Sequence, residues 1–187
     1  TGVQNGSEKT FKVSQYKGRY LVIVFYQADF TSADLVQSFA TIQPLLTSNG
    51  TDLVFCSGDS TESHKSWLSS DLGGSFSSPL WTDKTGALAT SFDLFDSEKK
   101  TCLDGVVVID DSSIIRQVMT SSMDPKELAK NVVDIVALLK KNKVKQMTLS
   151  ASVIVFNDES TQSIVIFTFP GRLSVIFSLS GYLEFAK

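Results

Sequence analysis

Tyr20-Leu21-Val22-Ile23-Val24-Phe25-Tyr26 is an unbroken run of aliphatic, β-branched and aromatic residues. A strand with one wet face alternates apolar and polar side chains. A run without alternation reads as a strand buried on both faces, the kind found inside sheets covered by helices. Downstream, Leu35, Phe39, Ile42 and Leu46 recur at helical spacing, and Asn49-Gly50 supplies a C-terminal stop. Leu53-Val54-Phe55-Cys56 is the next short strand, and Gly105-Val106-Val107-Val108-Ile109 is another buried one.

A polar helix is predicted around Ser60–Ser70, followed by a loop rich in glycine and serine, Gly73–Ser78. Asp110-Asp111-Ser112-Ser113 reads as a turn leading into Ile114–Met119, which makes a hairpin with the strand before it. Asp124-Pro125-Lys126-Glu127 supplies an N-cap, a proline at the first helical position and an acid at the third. Leu128, Val132, Ile135 or Val136, and Leu139 form the apolar stripe of that last helix. Lys140, Lys141 and Lys143 stand where its C-terminal end favours positive charge. The order β-α-β-α-(β)-α-β-β-α is thioredoxin-like: an α/β fold with a central mixed sheet flanked by helices. From Val144 charge nearly vanishes, and Thr148–Phe156, Ser163–Phe169 and Leu173–Leu179 read as β-rich runs. Two domains are therefore expected: residues 1–143, and a β-rich extension over 144–187 that is either a small meander or a poorly structured tail.

Composition narrows the function. The 187 residues are 42% hydrophobic and 20% charged, ordinary values for a globular chain. A net charge of −3, spread along the sequence, offers no basic face for nucleic acid. No run reaches the roughly 18 uninterrupted apolar residues of a membrane-spanning helix. The two cysteines, Cys56 and Cys102, form no CxxC, and His64 is the only histidine, so neither a metal nor a cofactor is expected. A reducing cytoplasmic compartment is the default for so few cysteines. Thr1 opens a polar stretch that does not look like a signal peptide, and secretion stays open if one was removed.

A collinear set of short motifs runs from Phe11 to Lys141. It comprises Tyr16-Lys-Gly-Arg-Tyr20 before the first strand, Asp29-Phe30-Thr31 after it, and Cys56-Ser-Gly-Asp-Ser60 with Ser63-His64-Lys-Ser-Trp67. Pro79-Leu80, Asp83-Lys-Thr-Gly86, Gly105-Val-Val-Val-Ile-Asp110 and Ile115-Arg116-Gln117 continue it. The set resembles the AhpC/TSA peroxiredoxins, in particular their typical two-cysteine group. The match leaves the family's amino-terminal strands mostly absent, and the extension from Val144 has no counterpart in it.

The resemblance implies a definite chemistry. A cysteine thiolate at a helix N-terminus attacks a peroxide oxygen, a threonine orients the peroxide, and an arginine holds the thiolate and polarises the O–O bond. The family motif is Pro-x-x-x-Thr-x-x-Cys, with the arginine just ahead of the Gly-x-x-x-Ile-Asp strand. Carried onto this chain, Gln27 stands at the proline, Thr31 at the threonine, Asp34 at the peroxidatic cysteine and Asp104 at the arginine. Only the threonine matches. A carboxylate forms no sulfenic acid, and no cysteine follows Lys145 to serve as the family's resolving thiol.

The expectation is a catalytically inactive peroxiredoxin-like protein that acts by binding, assembly or a chaperone-like or regulatory role, as a homodimer paired through the edge strand Ile114–Met119. An oxidoreductase built on Cys102 is the alternative, because that thiol is read into a polar loop where Lys99 and Lys100 would lower its pKa. A diverged product without selected activity is a third reading. Cys56 is expected to be a core residue, and His64 a structural helix residue. Asp34 is read as an N-cap, or as a permanent mimic of an over-oxidised sulfinate. Facing Asp104, it would form a pair of acids that raise each other's pKa or share a cation.

Overall fold

The computed structural model describes residues 1–70, 77–120 and 123–143 with their side chains. Beyond these it describes the backbone of a helix continued to Leu149 and of four later strands. Gly73–Phe76, most of the glycine- and serine-rich stretch, lies outside the described residues.

The Tyr20–Tyr26 run supplies an interior strand of the main sheet. In chain order the elements of the first unit begin with the short strands β1 (Gly2–Gln4) and β2 (Ser7–Lys9) and a 3-10 turn, Val13–Tyr16. Strand β3 (Tyr20–Phe25), helix α1 (Ala33–Ser48), strand β4 (Thr51–Ser57) and helix α2 (Thr61–Leu68) follow. Next come β5 (Leu80–Thr82), the short helix α3 (Ala87–Thr90), β6 (Phe95–Asp96) and β7 (Thr101–Cys102). The last are β8 (Gly105–Ile109), β9 (Ile115–Thr120) and helix α4 (Pro125–Leu149). The seven-stranded sheet has the order β2-β1-β5-β4-β3-β8-β9. Strands β3, β4 and β5 are parallel, and β8 and β9 run antiparallel to their neighbours. This is the thioredoxin-like α/β architecture, a mixed central sheet flanked by helices.

All six residues of β3 are buried. Successive side chains point to opposite faces. Leu21, Ile23 and Phe25 pack in one cluster with Val54, Cys56, Trp81, Leu94, Cys102, Val107 and Ile109. The alternate residues Val22, Val24, Phe55, Val106 and Val108 are buried as well. Helix α1 contributes buried Leu35, Val36, Phe39 and Leu46, and α4 contributes Leu128, Val132 and Val136. At the start of β8, glycine is required by close approach: a Cβ on Gly105 would meet a Leu94 methyl at 2.6 Å and the Met119 carbonyl at 2.7 Å.

Several expectations need correction. Two short amino-terminal strands that the sequence reading did not separate are present: β1 and β2 form a hairpin whose inner strand pairs with β5. Its turn is Asn5-Gly6, both residues with positive φ (51° and 73°), the pair favoured in two-residue hairpin turns. Strands of three residues carry too little periodicity to stand out, so the turn was the available signal. Helix α4 does not stop at the lysines but continues to Leu149. Two compact units divide between Val136 and Ala137, ahead of the expected boundary at 143. The second holds a four-stranded antiparallel meander, β10 (Ser152–Asn157), β11 (Ser163–Phe169), β12 (Leu173–Ser178) and β13 (Leu183–Ala186), one strand more than the sequence reading.

The core assignment has a direct test in urea unfolding. Phe25→Ala, at a site with no exposure, is expected to lower stability by about 3–5 kcal/mol. Phe30→Ala, at a residue 46% exposed, should stay within about 0.5 kcal/mol of the parent.

Candidate functional site

Gln27 and Thr31 lie in the segment between β3 and α1, Asp34 follows in the first turn of α1, and a buried polar cluster fixes the path of the segment. The Tyr26 amide extends the parallel ladder by donating to the Cys56 carbonyl at 3.1 Å. Its side chain is fully buried, lies tilted against Trp67 with ring centroids 6.0 Å apart, and donates its hydroxyl to Asp29 Oδ1 at 2.8 Å. Ser63 Oγ donates to Asp29 Oδ2 at 2.7 Å, and His64 Nδ1 lies 2.9 Å from the same oxygen. The Asp29 amide donates to Asp59 Oδ2 at 2.7 Å, and Ser57 Oγ donates to that oxygen at 3.0 Å.

Each partner is delivered by a regular element. Ser63 and His64 lie in the first turn of α2, whose N-cap Ser60 accepts from the Ser63 amide at 3.2 Å. Ser57 ends β4. Facing a carboxylate, His64 Nδ1 carries the proton, so the ring acts as a donor. His64 is thus the structural helix residue expected, fully buried in α2. Burial and the nearby Asp29 carboxylate hold the Tyr26 hydroxyl well above its usual pKa, so it stays a donor.

Of the four family positions, the fold brings two into contact. Gln27 donates its backbone N–H to Asp104 Oδ1 at 3.0 Å, and its carbonyl accepts from Thr101 Oγ1 at 3.3 Å. Burial raises the Asp104 pKa, and the Gln27 amide pulls it partly back. Thr31 is exposed and turns its hydroxyl to the Ala28 carbonyl at 3.1 Å. Phe30 before it has φ +63°.

Asp34 is exposed in the first turn of α1. It is not the N-cap, since Ser32 holds that position and makes no side-chain cap. The carboxylate faces the partial positive charge of the helix end from inside the first turn. It borders a groove of about 680 Å³ shared with Ile42, Lys126, Ala129, Lys130 and Val133. No hydrogen bond or ion pair joins Asp34 to Asp104 among the described residues, and the causes raising Asp104 do not include Asp34. Nor does any cluster of acids, histidines and cysteines among the described residues suit a metal ion.

The thiols fall elsewhere. Cys56 is buried in β4, and burial pushes its pKa well above the usual thiol range. Cys102 was expected in an accessible polar loop; instead it has no exposure and sits in the core cluster. It lies in strand β7, where it pairs with Phe95 of β6, and its side chain is buried. Burial, with Asp83 and Asp59 nearby, pushes its pKa up to about 11, the reverse of the shift expected from Lys99 and Lys100.

The sequence motifs contain Asp29, His64 and Trp67 but do not by themselves bring them together as a cluster. The available signal was His64 and Trp67, three apart in a mostly polar helix, a spacing that puts both on one face.

Comparison with known proteins agrees with this architecture. The AhpC/TSA family model matches residues 2–118. Peroxiredoxin 2 of Drosophila melanogaster is 31% identical over 129 residues, covering 66% of each chain. Peroxiredoxin-4 of Bos taurus is 30% identical over 136 residues, covering 66% of this chain and 47% of that protein. The chain thus spans between about half and two thirds of the length of these curated relatives. In fold it is similar to Enterococcus faecalis AhpC, with a TM-score of 0.68 at 18% identity, covering 75% of this chain and 87% of that one. A sequence match across more than half of its length, over a sheet of the same architecture, means that the chain belongs to the AhpC/TSA family of peroxiredoxins.

Proposed function

We propose that this chain is a peroxiredoxin-family protein without peroxide chemistry, acting through binding and assembly. The observation that carries the reading is the location of its sulfur. Both cysteines of the sequence lie in the hydrophobic core, and Asp34 occupies the helix start where the resemblance places the attacking thiolate. Attack on peroxide needs an exposed sulfur anion that takes up one oxygen and expels the other as hydroxide or alkoxide. A carboxylate has no such step available. The charge at residue 104 is also reversed, so an acid stands where developing negative charge calls for a cation.

Activity through Cys102 gains no support from the geometry. A thiol with a pKa of about 11 and no exposed surface is a poor nucleophile near neutral pH. Two free thiols fit a reducing compartment, and a cytoplasmic setting belongs to the same proposal. Among the described residues, no helix is long and apolar enough to cross a membrane.

Assembly would use β9. It is one of the two edge strands of the sheet, and Ile115 and Val118 on it are 50% and 39% exposed, with Ile114 beside them at 49%. An open, apolar edge strand is a template for pairing with another chain, and we propose a second copy of this one.

Three outcomes are expected. With hydrogen peroxide and dithiothreitol the parent should show no turnover, and mass spectrometry should find both thiols unmodified by stoichiometric peroxide. Oxygen added at Cys102 would move the active site there. In sedimentation velocity the parent should run as a dimer and Val118→Lys as a monomer; an unchanged dimer would remove β9 from the interface.

The last outcome concerns pH. The folded Asp104 pKa lies above its unfolded value, so ionisation costs stability. The favourable protonated contribution is complete below the ordinary carboxylate pKa and is lost as pH rises through the raised folded value. Asp104→Asn keeps an acceptor for Gln27 without the buried charge. It should therefore raise the urea midpoint at pH 7, with the gain fading toward pH 3.

A further inference from the structure

We infer that residues 27 and 104 form one coupled unit, in which Asp104 positions the start of the β3–α1 segment through the main chain of Gln27. Gln27 follows the last buried residue of the β3 run, and the stretch from β7 to β8 grips it twice. Asp104 accepts from its N–H at 3.0 Å, and Thr101 donates to its carbonyl at 3.3 Å. Both peptide groups flanking one residue are thereby fixed, just before the chain turns toward Thr31 and Asp34.

The Gln27 side chain is exposed and takes no part in this grip. The contact needs an N–H, which every residue but proline supplies. With proline at 27, the partly buried Asp104 carboxylate would lose the one hydrogen bond it makes among the described residues, and an uncompensated buried charge is costly. With arginine at 104, the Gln27 N–H would face a side chain that has no acceptor. A non-proline residue with aspartate is therefore self-consistent, and so is proline with arginine, whereas either mixed pair leaves a group unsatisfied.

Amide hydrogen exchange of residues 28–32 in the full chain tests this. Gln27→Pro and Asp104→Arg should each speed exchange by about tenfold or more, and together should return it to within about threefold of the parent. Gln27→Ala keeps the N–H and Asp104→Asn keeps the acceptor, so each should also stay within about threefold. Rates in the double variant equal to the product of the two single effects would overturn the coupling, as would a large effect of Gln27→Ala.

A second arm rests on the function proposed above. Asp34→Cys with Asp104→Arg should consume hydrogen peroxide with dithiothreitol at least about tenfold faster when Gln27→Pro is added. Equal, measurable rates with and without Gln27→Pro would overturn the inference. No consumption by either, together with the expected exchange pattern, would support the coupling and count against the peroxidase scaffold alone.

Discussion

The carboxylate of Asp29, only 4% exposed, is the point on which the candidate site depends. An isolated carboxylate is expensive to bury, and here Tyr26, Ser63 and His64 all converge on it. They come from the end of β3 and the first turn of α2, so satisfying one charge fixes how two elements meet. The Asp29 amide, bound to Asp59, adds the turn after β4. Removing any one partner would leave the others facing a poorly compensated charge, which makes such a network stiff.

Such a network would hold the backbone path independently of the side chains that meet solvent. The path of the backbone from Tyr26 to Ser32 is set from beneath by the Asp29 cluster and from the side by Asp104 and Thr101. Neither depends on what residue 34 is. A scaffold that holds its loop through buried main-chain and second-tier contacts tolerates replacement of the residues that meet solvent.

Much of this was legible in the sequence, for reasons that differ by element. The continuous β3 run, the helical spacing in α1 and the Asp124-Pro125 start of α4 are strong local signals. In the structure the Asp124 carboxylate accepts from the Lys126 and Glu127 amides, as a cap should. The β1–β2 hairpin was missed because three-residue strands derive their stability from pairing with β5 rather than from their own pattern. Cys102 was misplaced because charge along the sequence says nothing about which way a two-residue strand turns its side chains. Lys99 and Lys100 are its neighbours in sequence, but its surroundings in space are Leu94, Val107 and the interior of the sheet. The Gln27–Asp104 contact spans 77 residues and has no local signature at all.

The two edges of the sheet are built differently. On one side β2 is a strand of three exposed polar residues, Ser7, Glu8 and Lys9. On the other β9 is longer and carries exposed isoleucine and valine. A short, charged margin resists the addition of another strand, whereas the apolar one invites it. Growth by strand addition is therefore open in one direction only. Pairing of two such edges would use up the one open margin and leave only the resistant ones exposed.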